Sequence, residues 1–279
     1  MATTYAGTTQ RMPSLYIPHG GGPCFFMDWN PPDLWNSVAD FLKGIAVSLP
    51  QKPRAILLIS AHWVGREFMI GSVEKPGLLY DYYNFPPNTY QLKYPAPGAP
   101  SLAVRALELL QQAGIKAIED PQRGFDHGVF IPLKLAFPDA EIPIATMSLK
   151  AGYDPASHLA AGAALETLRD EGVLIIGSGM SFHNMRGFVD PSFHAQSVAY
   201  STDFTHWLDA AVTAPEPAAR AAELTHWETA PSARLSHPPR GEEHLIPLLI
   251  AAGAAGTDQG SIIYKGDVGG IRIAAYRFG

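Results

Sequence analysis

Residues 55–60 read AILLIS, and residues 173–178 read VLIIGS. Each run is continuously aliphatic and too short for a helix, which is typical of a strand buried on both faces of a sheet. Between such runs the apolar residues change to helical spacing, as they do in the segment Pro32–Leu49. Buried strands that alternate with amphipathic helices predict an α/β fold.

The other predicted elements continue this alternation. The further predicted strands are Ser14–Pro18, Glu67–Val73, Ile115–Ile118, Pro143–Leu149, Ser261–Tyr264 and Ile271–Phe278. The further predicted helices are Ser101–Ala113, a short one that ends near Phe137, Pro155–Glu171, Ala195–Val212 and Glu242–Ala252. Residues 78–100, rich in Tyr and Pro, have no periodicity and predict an ordered loop. We expect a flexible N-terminal segment over residues 1–12 and then one α/β domain, with a mostly parallel central sheet flanked by helices on both faces.

The composition narrows the class of protein. Of the 279 residues, 47% are hydrophobic and 16% are charged, against roughly 25% charged in average globular chains. The formal net charge of −6 disfavours a broad basic surface for nucleic acid. The single cysteine, Cys24, excludes an internal disulfide framework. No apolar run approaches the roughly 20 residues that span a bilayer, and residues 1–12 lack a hydrophobic signal core, so we expect a cytoplasmic protein without a membrane segment.

Histidines stand close to the ends of three predicted strands. These residues are His19, His62 and His183. Ligands of open α/β sheets gather outside the carboxyl ends of the strands, so we expect the three imidazoles to converge at one edge. His127 and His244, in loop or helix-start contexts, are two further candidates.

Two interpretations of these histidines stay open on the residues alone. One is a shared metal or catalytic site, and the other is a set of ordinary core and loop histidines. Imidazoles without cysteine partners suit Fe, Zn, Cu or Ni, and a nearby carboxylate narrows the choice toward non-haem iron or hydrolytic zinc. The chain has no HExxH spacing of a zincin protease. The stretch Gly177-Ser178-Gly179 lacks the pattern of a serine-hydrolase nucleophile elbow.

Six short motifs, in order along the chain, resemble those of the class III extradiol ring-cleavage dioxygenases. This is the superfamily of the protocatechuate 4,5-dioxygenase catalytic subunit, and the resemblance is strongest to its 4,5-DOPA extradiol dioxygenase group. The motifs are HG at 19–20, SAHW at 60–63, YPAPG at 94–98, GFDHG at 124–128, HN at 183–184 and EH at 243–244. The resemblance covers nearly the whole chain and implies that residues 13–279 form the catalytic dioxygenase domain. One departure, HGGGP at 19–23 where family members commonly have HGSP, bears on the shape of the substrate pocket.

The resemblance implies a non-haem Fe(II) enzyme that inserts O2 into a catechol, DOPA-like or related, and opens the aromatic ring. It implies that His19, His62 and His244 hold the iron. His183 is then the acid/base catalyst or a tentative fourth ligand, and His127 lines the same cavity as a second catalytic residue.

The third ligand has a rival. Distant relatives bind the metal with two histidines and one carboxylate, so Glu243 is an alternative to His244 as the third ligand. The resemblance favours His244, because the DOPA-type group has a histidine at this position. A His-rich site binds zinc more tightly than ferrous iron, so purified protein is expected to be able to carry Zn(II). The implied partners are a small aromatic substrate and O2, with the chain acting as a monomer or a small homo-oligomer. Two alternative functions are a zinc-dependent hydrolase that uses the same histidines and a non-catalytic relative that binds an aromatic ligand.

Several other residues carry competing interpretations. Asp126 either orients a neighbouring imidazole, as carboxylates do around metal sites, or forms an Asx turn. The Tyr/Pro-rich loop is either a wall over an aromatic substrate or ordinary packing at the sheet edge. His158 and His206 fall in helical patterns and are expected to face solvent. His237 lies shortly before the last motif and is a candidate for the edge of the pocket.

Overall fold

The computed structural model describes residues 10–279, and the strands of this range form one eight-stranded sheet. Across the sheet the strands lie in the order β4-β3-β5-β2-β6-β1-β8-β7. In chain order they are β1 (Ser14–Pro18), β2 (Ala55–Gly65), β3 (Phe68–Gly71), β4 (Ala117–Asp120), β5 (Ile144–Lys150), β6 (Val173–Gly179), β7 (Gly260–Val268) and β8 (Ile271–Phe278).

The helices connect these strands or follow them. They are α1 (Asn36–Ser48), α2 (Pro100–Gln112), α3 (His127–Ala136), α4 (Pro155–Leu165), α5 (Arg186–Val189), α6 (Pro191–Thr213), α7 (Pro217–Thr225), α8 (Ala233–Ser236) and α9 (Ile246–Gly253). Short 3₁₀ turns are present at Cys24–Phe26, Pro87–Gln91, Glu166–Arg169 and Trp227–Thr229.

The expectation of a mostly parallel sheet is wrong, because the sheet is mixed. The central strands β5, β2, β6 and β1 are parallel, whereas β3 runs antiparallel to β5 and β8 runs antiparallel to both β1 and β7. The cause is the length of two connections. Only two residues separate β2 from β3 and β7 from β8, and a parallel crossover takes roughly a dozen residues or more. Two glycines with positive φ, Gly269 at 57° and Gly270 at 88°, make the second reversal.

Most predicted elements are present with shifted bounds, and two shifts bear on the histidines. β2 continues past Ser60 to Gly65, so His62 lies within a strand rather than after one. The helix predicted over Glu242–Ala252 begins only at Ile246. The EH motif therefore lies in the segment that leads into α9.

Each face of the sheet packs into its own apolar core. Leu57 and Ile59 belong to one core with residues of α2, α4 and α9, and Ile56 and Leu58 belong to the other with residues of α1 and α3. Successive strand residues point to opposite faces, so the run at residues 55–60 is buried on both sides. Helices cover both faces of the sheet, as predicted.

The N-terminal prediction falls mostly outside the described residues, because residues 1–9 are not among them. Met12 is fully buried, and its backbone N–H donates to the carbonyl of Arg169 at 3.0 Å. Within residues 10–279, no helix has both the length and the apolar character that crossing a membrane requires.

Candidate metal centre and substrate cavity

The carboxyl ends of three neighbouring strands bring histidines to one edge of the sheet. β1 and β2 pair with opposite sides of β6 in parallel. His19 follows the last residue of β1, His62 lies near the end of β2, and His183 comes shortly after β6. Parallel strands end at the same side of a sheet, so these three residues are brought together by topology.

Three imidazoles at this edge lie close enough together to be candidate ligands of one metal ion. The ligand nitrogens of His19, His62 and His244 all lie within 4.8 Å of one another. Nε2 of His19 and Nε2 of His62 are 3.1 Å apart. Two imidazoles that bind one ion at about 2.1 Å place their nitrogens roughly 3.0 to 3.4 Å apart, depending on the coordination angle. The observed separation falls within that range.

Ser178 sets the orientation of the His19 ring. Its hydroxyl donates to the carbonyl of Gly128 at 2.5 Å and lies 3.1 Å from Nδ1 of His19. Since the hydroxyl proton is used by the carbonyl, the hydroxyl oxygen accepts the Nδ1–H of His19. This bond fixes the tautomer of the ring and leaves the lone pair of Nε2 toward His62, as second partners do for metal-binding histidines.

Two glycines of β6 allow the His244 segment to lie directly on the strand. A Cβ at Gly179 would stand 2.0 Å from the carbonyl oxygen of His244, and one at Gly177 would stand 2.3 Å from that of Pro247. The Tyr16 hydroxyl donates to the same His244 carbonyl at 2.7 Å. The stretch Gly177-Ser178-Gly179 thus positions two histidines. Its serine orients the His19 ring, and its glycines leave room for the His244 backbone.

Glu243 holds the other ring nitrogen of His244. Its Oε1 lies 3.0 Å from Nδ1 of His244, and burial raises the pKa of the Glu243 carboxyl. This contact leaves Nε2 of His244 for the cluster with His19 and His62. A carboxylate oxygen of Glu243 and ring nitrogens of His183 and His244 also lie within 4.8 Å of one another, so these three residues form a second group that could hold a metal ion.

His183 lies flat against His244. The two ring centroids are 3.2 Å apart with 15° between the ring planes, and Nδ1 of His183 is 3.7 Å from Oε1 of Glu243. The backbone N–H of His183 donates to the carbonyl of Ser236 at 3.0 Å, which anchors the loop after β6. His183 therefore reaches the cluster as a stacked neighbour of one candidate ligand.

Asp81, which the sequence patterns did not single out, holds His127. Its Oδ1 lies 2.8 Å from Nδ1 of His127 and accepts the backbone N–H of the same residue at 2.9 Å. Burial raises the pKa of Asp81, but the hydrogen bonds and charge of His127 and the charge of His62 together outweigh burial, and the net pKa lies below the ordinary value. The His127 ring centroid is 3.8 Å from that of His62. The one feature of the sequence that could have pointed to Asp81 is that it is the only acidic residue of the Tyr/Pro-rich segment 78–100.

Asp126 supports the backbone of β2 and not the ring of His127. Its carboxylate accepts from the Ser60 hydroxyl at 2.7 Å and from Arg123 at 2.9 Å. The Ser60 oxygen in turn accepts the N–H of His62 at 3.1 Å, and Arg123 donates to the His62 carbonyl at 3.2 Å. Asp126 thus positions the backbone of His62 indirectly, through Ser60 at the N–H and through Arg123 at the carbonyl.

Burial keeps the imidazoles of the cluster neutral in the protein without metal or substrate. It lowers the pKa of His19, His62 and His244 well below the ordinary value, and nearby imidazoles lower it further. Burial and the neighbouring His127 lower the pKa of His183 to about 4. At neutral pH these rings carry a free lone pair, which metal binding requires.

A cavity of about 450 Å³ borders this cluster and is lined by His62, His127, His183 and His244. Its other lining residues are Gly20, Gly21, Gly22, Trp29, Leu34, Trp35, Tyr82, Tyr83, Phe85, Met180, Met185, Phe188, Val189, His194, Val268 and Gly269. The Tyr/Pro-rich loop therefore does supply a wall, through its residues 82, 83 and 85. Aromatic side chains of this kind offer flat apolar contact to an aromatic ligand.

The structure also tests the expected exposure of His158 and His206 and the expected position of His237. The exposure predicted for His158 is wrong, because this residue is 1% exposed. The start of α4 packs against the end of β5, so Nδ1 of His158 lies 2.7 Å from the carbonyl of Asp154 and Nε2 accepts the N–H of Lys150 at 3.1 Å. His206 is exposed, as predicted. His237 is fully buried and is not among the residues that line the cavity.

Comparison with known proteins bears on this site. Residues 13–270 match the family described as the catalytic LigB subunit of aromatic ring-opening dioxygenase. "Dioxygenase tasH" of Hapsidospora irregularis is 39% identical over 277 residues, which cover 96% of this chain and 85% of that protein. The 4,5-DOPA dioxygenase extradiol of Beta vulgaris is 39% identical over 232 residues, covering 82% of this chain and 84% of that protein.

Two matches come from Escherichia coli. Its 4,5-DOPA dioxygenase extradiol (strain K12) is 32% identical over 249 residues, covering 88% of this chain and 86% of that protein. The crystal structure of an uncharacterized K12 protein superimposes with a TM-score of 0.75 at 30% identity, covering 96% of this chain and 100% of that one. The family match spans all five clustered histidines, from His19 to His244. The chain therefore belongs to the LigB family and is an aromatic ring-opening dioxygenase.

Proposed function

We propose that this dioxygenase is a non-haem Fe(II) enzyme that opens a catechol ring beside its two hydroxyl groups, with O2 as the second substrate. In this proposal His19, His62 and His244 hold the iron, and residues 13–279 form the catalytic domain. The observation that carries it is the 3.1 Å approach of two imidazole nitrogens, with a third ligand nitrogen within 4.8 Å, beside a cavity lined by aromatic residues.

The donor set fits a ferrous ion. Imidazole nitrogens suit iron, and three of them occupy only part of its coordination sphere. Ser178 and Glu243 hold the outer nitrogens of His19 and His244, which is the support that metal-binding histidines ordinarily have. When bound, a ferrous ion supplies an electronic path between the aromatic ring and triplet dioxygen, which do not react directly.

His183 is the proposed acid/base residue. A catechol loses a proton on binding, and the ring-opened product regains one, so the site needs a group that works in both directions. Nδ1 of His183 faces Glu243 at 3.7 Å, which leaves Nε2 to accept a proton from a substrate hydroxyl and to return it. Stacking on His244 at 3.2 Å holds the His183 ring beside a proposed ligand. The alternative role as a fourth ligand is decided by the metal content of a His183 variant, which is described in the Discussion.

His127 is the proposed second catalytic residue. Asp81 occupies its Nδ1 at 2.8 Å and so leaves Nε2 for the substrate. A ring fixed in this way can form a hydrogen bond to a substrate hydroxyl, or to the oxygen where charge develops, without reorganising during the reaction.

The test loads the metal-free protein with Fe(II) or with Zn(II) under anaerobic conditions, adds 4-methylcatechol and then admits O2. We expect oxygen uptake and a yellow ring-opened product with iron and neither with zinc. His62→Ala taken through the same Fe(II) loading is the matched control and should be inactive. Hydrolysis of an ester by the zinc-loaded protein without oxygen uptake would favour the hydrolase alternative. Catechol binding without turnover in the iron-loaded protein would favour the non-catalytic alternative.

A further inference from the structure

The cavity wall beyond the clustered histidines carries no formal charge. Within residues 10–279, none of the residues that line the cavity is Asp, Glu, Lys or Arg. The wall is instead aromatic at Trp29, Trp35, Phe85 and Phe188 and aliphatic at Leu34 and Val268. A substituent that leaves the ring in this direction therefore meets carbon surface.

Three charged side chains that adjoin lining residues in the sequence have partners of their own. Asp81 is bound to His127, and Glu243 is bound to His244, so both carboxylates would repel an anionic substituent. Arg186, at the start of α5, forms an ion pair with Asp190 at 3.2 Å.

The rim of the cavity is apolar as well. Tyr83 is 78% exposed, Val189 is 70% exposed and Met185 is 50% exposed. All three line the cavity, and they come from the Tyr/Pro-rich loop and from the segment around α5. Exposed apolar side chains gathered around an opening are typical of a surface that takes up an apolar ligand.

We propose that the site selects catechols with an uncharged, apolar substituent over catechols whose side chain ends in a carboxylate or an amino-acid group. This proposal rests on the proposed function, since it names the class of substrate for the same site. A carboxylate transferred from water to an apolar wall without a partner loses its solvation, which disfavours its binding. An apolar substituent instead gains from the removal of its surface from water.

His194 is the one lining imidazole outside the five-histidine cluster among the described residues. Its Nδ1 lies 2.8 Å from the carbonyl of Gly187. A carbonyl only accepts, so Nδ1 donates its proton to Gly187. Nε2 is the ring nitrogen left to contact a substituent, and a hydroxyl group, which can both donate and accept, can bind to it.

The test compares 3,4-dihydroxyphenylacetate with its methyl ester, which has the same catechol and nearly the same shape but no charge. Binding is followed anaerobically, in zinc-loaded and iron-loaded protein, by the fluorescence of Trp29 and Trp35. Turnover is followed by oxygen uptake after O2 is admitted. We expect the ester to bind at least about tenfold more tightly, which corresponds to about 1.4 kcal/mol, and kcat/KM to favour it in the same direction.

Leu34→Lys supplies the missing cation, with Leu34→Met as the matched control. The lysine should shift the acid-to-ester binding ratio toward the acid, and the methionine should leave the ratio unchanged. Equal or tighter binding of the acid by the parent protein would overturn the proposal. His194→Phe should leave the ratio unchanged, and weaker acid binding in that variant would overturn the proposal by making His194 the counter-ion.

Failure of this inference is distinguishable from failure of the proposed function. Ring opening of the acid in preference to the ester would overturn the inference and uphold the dioxygenase proposal. Tighter binding of the ester without ring opening of either compound by iron-loaded protein would uphold the inference and overturn the proposed function.

Discussion

His19 and His158 are both buried histidines whose pKa burial lowers, yet the fold treats their ring nitrogens differently. Both nitrogens of His158 are taken by the backbone, one by the Asp154 carbonyl and the other by the N–H of Lys150. In His19 one nitrogen is held by Ser178, and the other faces a second imidazole at 3.1 Å. The protein satisfies the His158 ring completely, so that ring is structural, whereas it satisfies the His19 ring by half and leaves one nitrogen for a ligand beside two other imidazoles.

Removal of a half-satisfied imidazole should have the largest effect. We expect His62→Ala to abolish binding of iron and of zinc, because two imidazoles remain where three converged. The measurement is metal content per chain after anaerobic reconstitution. His158→Phe is the matched control and should bind as much metal as the parent. Parent-level metal in His62→Ala would contradict the assignment of His62 as a ligand.

His183→Ala tests whether this clustered histidine is an acid/base residue or a metal ligand like His62. This variant should keep its metal and lose turnover by about 10² to 10⁴-fold, the usual contribution of a general acid or base. Metal analysis and oxygen uptake on the same sample separate the two effects. A metal loss equal to that of His62→Ala would make His183 a fourth ligand instead.

The fully satisfied histidine should matter for stability alone. His158→Phe keeps a ring next to Phe68 but removes the partners of a backbone N–H and a carbonyl, so the free energy of unfolding should fall by about 1 to 3 kcal/mol. Urea unfolding of the metal-free protein measures this loss. His206→Ala, at an exposed position, should change the free energy of unfolding by less than about 0.5 kcal/mol.

The difference in the free energy of unfolding between the parent and His158→Phe should depend on pH. The pKa of His158 is lowered to about 4 by burial, below an unfolded value of about 6.5, so the unfolded chain binds more protons between these values. The stabilising contribution of neutral His158 is therefore present above pH 6.5 and lost as the pH falls toward 4. Relative to His158→Phe, the parent should lose roughly 3 kcal/mol over this window. A constant difference between parent and variant across the window would show that His158 is not the group responsible.

A smaller effect on metal binding than that of His62→Ala is expected from the residue that holds His244 by its outer nitrogen. Glu243→Gln should weaken metal binding by about 10 to 100-fold, as loss of such supporting carboxylates typically does. A competition titration against a chelator measures the affinity. Glu216→Gln, at an exposed position, is the control. Complete loss of metal in Glu243→Gln would instead favour Glu243 as the third ligand.

The clustered histidines could be predicted because parallel strands end at one edge, and three of these residues stand near strand ends. Asp81 could not be singled out, because its loop has no periodicity and its bond to His127 depends on how that loop folds back. The exposure of His158 was predicted wrongly because helical spacing does not report that the first turn of α4 packs on β5. The mixed sheet was in principle predictable, since only six residues separate the strands predicted at 55–60 and 67–73, too few for a parallel crossover.

The position of β1 has a consequence for how the enzyme is made. This strand is the first of the described chain to be synthesised, but its neighbours in the sheet are β6 and β8, and β8 is the last. Domains assemble as their segments leave the ribosome, so β1 has to wait for two partners that are made much later than itself. We expect nascent chains arrested between α9 and β7, which contain all five clustered histidines but not β8, to capture no metal. Capture by such chains would disprove this order of events, and its absence would mean that metal capture reports the synthesis of β8.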